Sequence, residues 1–299
     1  MSIIGSTSER ANGGDILARA RSRAALLPDL LVEAQRIANI ITQGLHGRKR
    51  RGIGEEFWQY RPYSAGETVA RIDWRRSARD EHVYVRDLEW QAAHTVWLWA
   101  DPSPSMLYQS KQATISKESR ALVIVLALAE ILSRSGERIA YPGIFAPTSS
   151  RQGAERLAAS LFSVEALAPE PNLNAISRHS ECVYVSDFLD PVDEIMERLE
   201  PLAGRAVRVH LVEVTDPAEE NFPYMGRTEF VDPESGAKLT AGRADTLAAE
   251  YRLLYVARRE ELSRFAKSRG WSYTVTKTDG LASSALIQLF GALSAGALA

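Results

Sequence analysis

Asp101-Pro102-Ser103-Pro104-Ser105 sets one carboxylate and two hydroxyls at alternate positions of a short stretch. These are hard oxygen donors, suited to Mg²⁺ and similar ions. Three donors cannot fill an octahedral shell, so a cation held by them keeps open positions. An open position can accept an oxygen from a partner protein. The stretch follows the apolar run His94–Ala100, which reads as a buried strand. Open α/β sheets place their ligands on loops at the carboxyl ends of strands. Asp187 is a second carboxylate so placed, ending the run Val183-Tyr184-Val185-Ser186. If the two strands are parallel neighbours, Asp101, Ser103, Ser105 and Asp187 converge on one crevice as a divalent-cation site. D-x-S-x-S is a short pattern, and the same residues would also serve to cap the loop and the helix that follows.

The elements that must position these residues alternate along the chain. Candidate strands are His94–Ala100, Arg138–Phe145, Cys182–Ser186, Ala206–Val214 and Trp271–Thr276. Candidate helices are Lys117–Arg134, Gln152–Phe162, Pro191–Leu202, Asp245–Ser268 and Leu281–Leu293. Such alternation predicts an α/β fold, a doubly wound and mostly parallel sheet with helices on both faces. Val96 and Leu98 on one side of the first strand, and Trp97 and Trp99 on the other, suit a central position. One insertion interrupts the pattern. Two short apolar pieces flank Asp232-Pro233-Glu234-Ser235-Gly236, which predicts a β-hairpin over 228–240.

Ahead of this region, residues 1–28 read as a polar leader, and 29–90 as a small module. The module opens with a helix over Asp29–Gln43, where Leu30, Ile37 and Ile41 recur at helical spacing and Asp29 offers a cap. It continues as a β-rich part containing the strand His82–Arg86. Within Arg71–Arg79, Asp73 flanked by arginines reads as an ion-pair network, with Trp74 as an apolar anchor docking the module on residues 91–299.

The 299 residues carry 45% hydrophobic and 25% charged side chains, as in an ordinary globular protein. A net charge of −2 provides no global field toward nucleic acid or anionic membrane. The basic run Arg48-Lys49-Arg50-Arg51 reads as a solvated loop, since no stacking-aromatic pattern accompanies it. The longest apolar run, Ala121–Ala129, falls short of the roughly 18 residues of a membrane span. Met1–Asp15 lacks an apolar signal-peptide region. A cytoplasmic location without direct membrane insertion is therefore expected. Cys182, the one cysteine, excludes an intrachain disulfide and reads as a buried hydrophobe.

Enzyme signatures are poor. No G-x-S-x-G, Walker A or H-E-x-x-H occurs, and five histidines are scattered without ligand spacing. No nucleophile stands with a base. A non-enzymatic protein is expected. The rival is a metal-dependent phosphoester hydrolase using the same carboxylates with Arg48–Arg51, and a third reading is a scaffold with a vacant site.

One succession of residues is more specific than any of these patterns. It runs Gly52-x-Gly54-x-Glu56-Phe57, Arg61-Pro62-Tyr63-x-x-Gly66-Glu67, Arg71-Ile72-Asp73-Trp74-x-x-Ser77-Ala78-Arg79 and Tyr84-Val85-Arg86. With Val185-Ser186-Asp187-Phe188-Leu189-Asp190 it resembles the domain-of-unknown-function-58 family over nearly all of Leu30–Leu293. The resemblance implies a von Willebrand factor A-like domain behind a short N-terminal helix-plus-β module. It also implies a MoxR-type AAA+ ATPase as partner. Asp101, Ser103 and Ser105 then match the first loop of a metal-ion-dependent adhesion site for Mg²⁺ or Mn²⁺, and Asp187 matches its later strand-end aspartate. The threonine such a site expects is replaced by Pro171-Asn172-Leu173-Asn174, where Asn172 is a weak substitute. The resemblance therefore implies a site that binds its ion loosely, or one that a partner carboxylate completes.

Overall fold

The chain is described by a computed structural model at residues 28–42, 57–64, 72–79, 82–88, 94–164, 168 and 170–296. The basic run Arg48–Arg51, the leader before residue 28, and Gly52, Gly54, Glu56, Gly66, Glu67 and Arg71 of the signature lie outside these residues.

Six strands form the central sheet. These are β3 (Thr95–Ala100), β4 (Arg138–Tyr141), β5 (Phe145–Thr148), β6 (Glu181–Ser186), β7 (Arg208–Thr215) and β10 (Ser272–Lys277), ordered β10-β7-β6-β3-β4-β5. All pair in parallel except β5, which runs antiparallel to β4. After β3 the chain builds outward on one side through β4 and β5, then crosses to build the other side from β6. The order reverses between β3 and β6, and that switch point is where doubly wound sheets open a ligand crevice.

Helices cover the sheet in two groups: α3 (Lys117–Arg134) packs with α4 (Gly153–Ser163) and α8 (Ala282–Gly296), and α5 (Val192–Ala203) packs with α7 (Ala248–Ser268). Every residue of β6 is buried, as a strand covered on both faces requires. Val96, Trp97, Leu98 and Trp99 are likewise all buried, and the Trp99 ring packs 4.2 Å from Tyr184. Over Ala121–Ala129 the α3 helix is apolar around its whole circumference, and Val123–Ala129 are all 0% exposed. Ser116 caps it, accepting a hydrogen bond from the Ser119 amide.

Residues 28–42 are helical (α1), and Leu30, Ala34, Ile37, Ala38 and Ile41 belong to the same apolar core as the sheet. Arg134 reaches α1 through a 2.6 Å hydrogen bond to Asn39. Upstream of β3, β1 (Phe57–Pro62) and β2 (Tyr84–Leu88) pair antiparallel around the short α2 (Trp74–Ser77).

Two local expectations are corrected. Arg138–Phe145 is two strands rather than one: Tyr141-Pro142-Gly143-Ile144 turns the chain, with Gly143 at φ +78° and the Ile144 amide on the Tyr141 carbonyl. Proline fixes the first corner residue and glycine supplies the positive φ of the second, which outweighs the apolar run. Trp74 is 62% exposed rather than a docked anchor, and Asp73 beside it caps α2 through the Arg76 amide.

Gly153 opens α4 against α3 and β4. Alanine ordinarily stabilises a helix over glycine by about 1 kcal/mol. Here an added Cβ would meet Ser133 Oγ at 2.5 Å and Ile139 Cδ1 at 3.0 Å, both in the packed interior. Overpacking should reverse the sign, so Gly153→Ala is expected to lower stability by about 1–3 kcal/mol in urea unfolding. An unchanged or raised midpoint would mean that the interior yields at this point.

Candidate functional site

Three neighbouring strands end on an aspartate: β3 on Asp101, β6 on Asp187 and β7 on Asp216. Pairing of β3 with β6 continues past the strand, since the Asp101 amide donates to the Val185 carbonyl at 2.8 Å. Asp101 and Asp187 therefore face one crevice at the switch point.

Asp101 spends both oxygens on the crevice itself. Oδ1 accepts from the Ser103 amide at 2.8 Å and Oδ2 from the Ser186 hydroxyl at 2.6 Å. Ser103 and Ser105 then stand with hydroxyl oxygens 3.0 Å apart. A 3₁₀ turn over Pro104–Leu107 directs Ser105 inward. The sequence-derived group Asp101, Ser103, Ser105 and Asp187 is thus brought to one place, where Asp101 combines the capping and the crevice-lining roles. Asn172 is not part of it. Its Oδ1 caps its own short turn through the Asn174 amide, and among the described residues no hydrogen bond or ion pair joins it to the crevice.

Asp187 carries a partner that sequence reading missed. Lys117, the first residue of α3 and 1% exposed, places its Nζ 2.8 Å from Asp187 Oδ2 and 2.6 Å from Glu219 Oε1. After Asp187 the backbone turns sharply, with Phe188 at φ +50°. Left-handed backbone is costly for such a residue, by about 1–2 kcal/mol. Burial of the Phe188 ring against Tyr184 and the bond from Arg258 to the Phe188 carbonyl hold the turn.

Glu219 arrives on α6 (Pro217–Asn221), a short helix missing from the sequence reading although Asp216-Pro217-x-Glu219 is a capping box. Asp216 is fully buried and spent on backbone, accepting from the Ala218 and Ser110 amides at 2.9 Å each. It fixes the loop between β3 and α3 and is not a free ligand.

The second missed group comes from the insertion. Strands β8 (Thr228–Val231) and β9 (Lys238–Ala241) form the expected hairpin, and Glu234 from its turn accepts the Ser105 amide on Oε1 at 2.9 Å. Nothing local in the sequence signals a contact across 129 positions.

The electrostatics follow from burial. Asp101 has its carboxyl raised above the ordinary range, first by desolvation and further by the charge of Asp187, against the lowering hydrogen bonds from Ser186 and Ser103. Glu234 is an exposed residue, but its carboxyl end is desolvated at Ser105 and so is raised as well, with Asp101 and Asp187 adding to it. For Lys117, burial opposes the charged form, but Asp187 and Glu219 outweigh it and hold its pKa above the ordinary lysine value. On Glu219 burial prevails over Lys117 and raises the carboxyl. Four carboxylates thus face one ammonium, and neither Asp101 nor Glu234 forms an ion pair among the described residues.

A hard divalent cation fits this oxygen-rich, negatively charged group. Lys117 already neutralises one oxygen of Asp187, so a cation would draw chiefly on Asp101, Ser103 and Ser105. Among the described residues no three His, Cys, Asp or Glu side chains form a ready-made metal cage, and hydroxyls and water would have to complete the shell.

Comparison with known proteins gives a family and two kinds of relative. The model of the family described as "Protein of unknown function DUF58" matches residues 59–261. Uncharacterized proteins of Mycobacterium tuberculosis and Mycobacterium bovis are each 25% identical over 293 residues, covering 92% of this chain and 91% of the relative. Among solved structures, the conserved hypothetical protein BatB from Bacteroides thetaiotaomicron aligns over 69% of this chain and 100% of its own at 14% identity and a TM-score of 0.42. An aerotolerance-related membrane protein from Bacteroides fragilis aligns over 68% of this chain and 100% of its own, with 14% identity and a TM-score of 0.39. Among the described residues no helix is long and apolar enough to cross a membrane.

Two outcomes follow from the charges. Lys117→Met strands two buried carboxylates and should cost about 3–5 kcal/mol at pH 7 in urea unfolding. The loss should shrink on acidification as Glu219 takes up a proton; a loss independent of pH would discount the ion pairs. Asp101 works in the opposite sense. A carboxyl raised in the folded state adds stability below its unfolded pKa, and that stability is lost as pH rises through the folded value. Asp101→Asn, compared in chelator, should therefore melt about 2–4 °C above wild type at pH 7, with the gap closing at low pH. A variant that melts lower at both pH values would show the carboxylate to be a net stabiliser.

Proposed function

We propose, from the premise that this chain belongs to the DUF58 family, that it is a non-enzymatic interaction protein whose switch-point crevice receives an acidic side chain of its partner. Asp101, Ser103 and Ser105, with Asp187 behind them, would hold a Mg²⁺ or Mn²⁺ ion, and that ion would supply the positive charge on which the partner's carboxylate closes. The finer architecture in this reading is von Willebrand factor A-like, the partner a MoxR-type AAA+ ATPase, and the setting the cytoplasm.

The observation that carries the reading is the Ser105 amide, which already donates a hydrogen bond to a carboxylate at the mouth of the crevice. An aimed backbone N–H beside two hydroxyls recognises an anionic oxygen without help from a lysine or arginine. The excess of carboxylate over ammonium supports a cation, since Asp101 is otherwise ionised only against its own burial.

Titration calorimetry with Mg²⁺ and with Mn²⁺ tests the cation. Wild type should bind, and Asp101→Ala should bind at least about tenfold more weakly, a loss of ~1.4 kcal/mol. No binding by wild type, alone or with the ATPase, would overturn the metal site. Capture of a MoxR-type ATPase should weaken in parallel in Asp101→Ala. Equal capture by both proteins would instead favour a scaffold with a vacant site.

A further inference from the structure

We infer that the β8–β9 hairpin is an internal occupant of the crevice, with Glu234 in the seat that a partner's acidic turn takes, so that partner and hairpin exclude each other. The inference rests on the carboxylate-receiving role proposed above and adds what the partner presents and what holds the site shut.

The hairpin is built as a presenting device. Asp232 organises its turn: the Glu234 amide and the Ser235 hydroxyl donate to the Asp232 carboxylate, and the Gly236 amide donates to the Asp232 carbonyl. Gly236, at φ +71°, supplies the left-handed corner that closes the turn. Glu234 is thereby held at the tip, in a conformation set before it meets Ser105.

Its attachment to the body is local and light. The two strands form a sheet of their own, and every residue from Val231 to Thr240 is exposed. Phe230 secures the base, packing 5.8 Å from Phe222 and 5.1 Å from Tyr224, and the Ala244 amide clasps the Gly226 carbonyl at 2.8 Å. Beyond that base the tip meets the body through Glu234 at Ser105. An isolated two-stranded hairpin is marginal in water, so a tip held through one side chain can leave while its aromatic base stays.

Charge also favours exchange. Asp101 and Asp187 both repel Glu234 at its seat. One charge-assisted hydrogen bond from a tethered side chain shifts occupancy by about ten- to a hundredfold, within reach of a competing partner. That partner would present an acidic side chain on a short rigid turn, as Asp232–Gly236 does.

The test uses a fluorescent cyclised peptide carrying residues 228–241, measured by anisotropy on the full chain in Mg²⁺. Glu234→Ala lies on an exposed turn and should melt within about 2 °C of wild type. It should bind the peptide at least tenfold more tightly than wild type does, and a peptide with glutamine at the tip should bind it at least tenfold more weakly than the acidic peptide. Equal affinity of wild type and Glu234→Ala, with the acidic peptide still preferred, would overturn the hairpin's occupancy and leave the carboxylate-receiving role standing. No preference for the acidic peptide, or no binding by Glu234→Ala, would overturn both.

Discussion

The ammonium of Lys117, 1% exposed, is the charge around which the carboxyl end of the sheet is arranged. It stands at the start of α3, yet its partners come from the loop after β6 and from α6 after β7. One side chain thus ties the crossover helix to two later strand ends. A buried ion pair is weak as a source of stability but strong as a constraint, because separating its members leaves an unpaired charge in low dielectric. The positions of Asp187 and Glu219, and through α6 that of Asp216, are consequences of that constraint.

One ammonium does not balance the carboxylates gathered there. Asp101 is left to the Ser103 amide and the Ser186 hydroxyl, and Glu234 to the Ser105 amide. Hydrogen bonds of this kind stabilise an anion without cancelling its charge. The crevice is therefore a place where added positive charge or a departing carboxylate lowers the energy. Metal binding, partner binding and hairpin release, as proposed for this DUF58 protein, all draw on that one imbalance.

Much of this was legible in the chain. The apolar run Ala121–Ala129 marks α3, and the helix read over Lys117–Arg134 matches its bounds to the residue. Strand-end carboxylates at Asp101 and Asp187 follow from apolar runs that stop on an acid, and Asp216 fits the same rule, although its capping-box helix went unread. Other features were misjudged because local signals competed. Pro142-Gly143 cut an apolar run that reads as one strand, and Trp74, apolar as it is, stands exposed beside the Asp73 cap. Asn172, the weak candidate for the missing threonine, serves its own turn.

By itself the sequence determined the alternation of strand and helix, the hairpin at 228–240 and the oxygen-bearing loops, because periodicity, turn residues and caps act within a few positions. Only the tertiary structure decided what those loops meet. Lys117 pairs across 70 and 102 positions, and Glu234 reaches Ser105 across 129. Such pairings depend on strand order and on where an insertion folds back. A single lysine or glutamate on a polar segment carries no periodic mark of either.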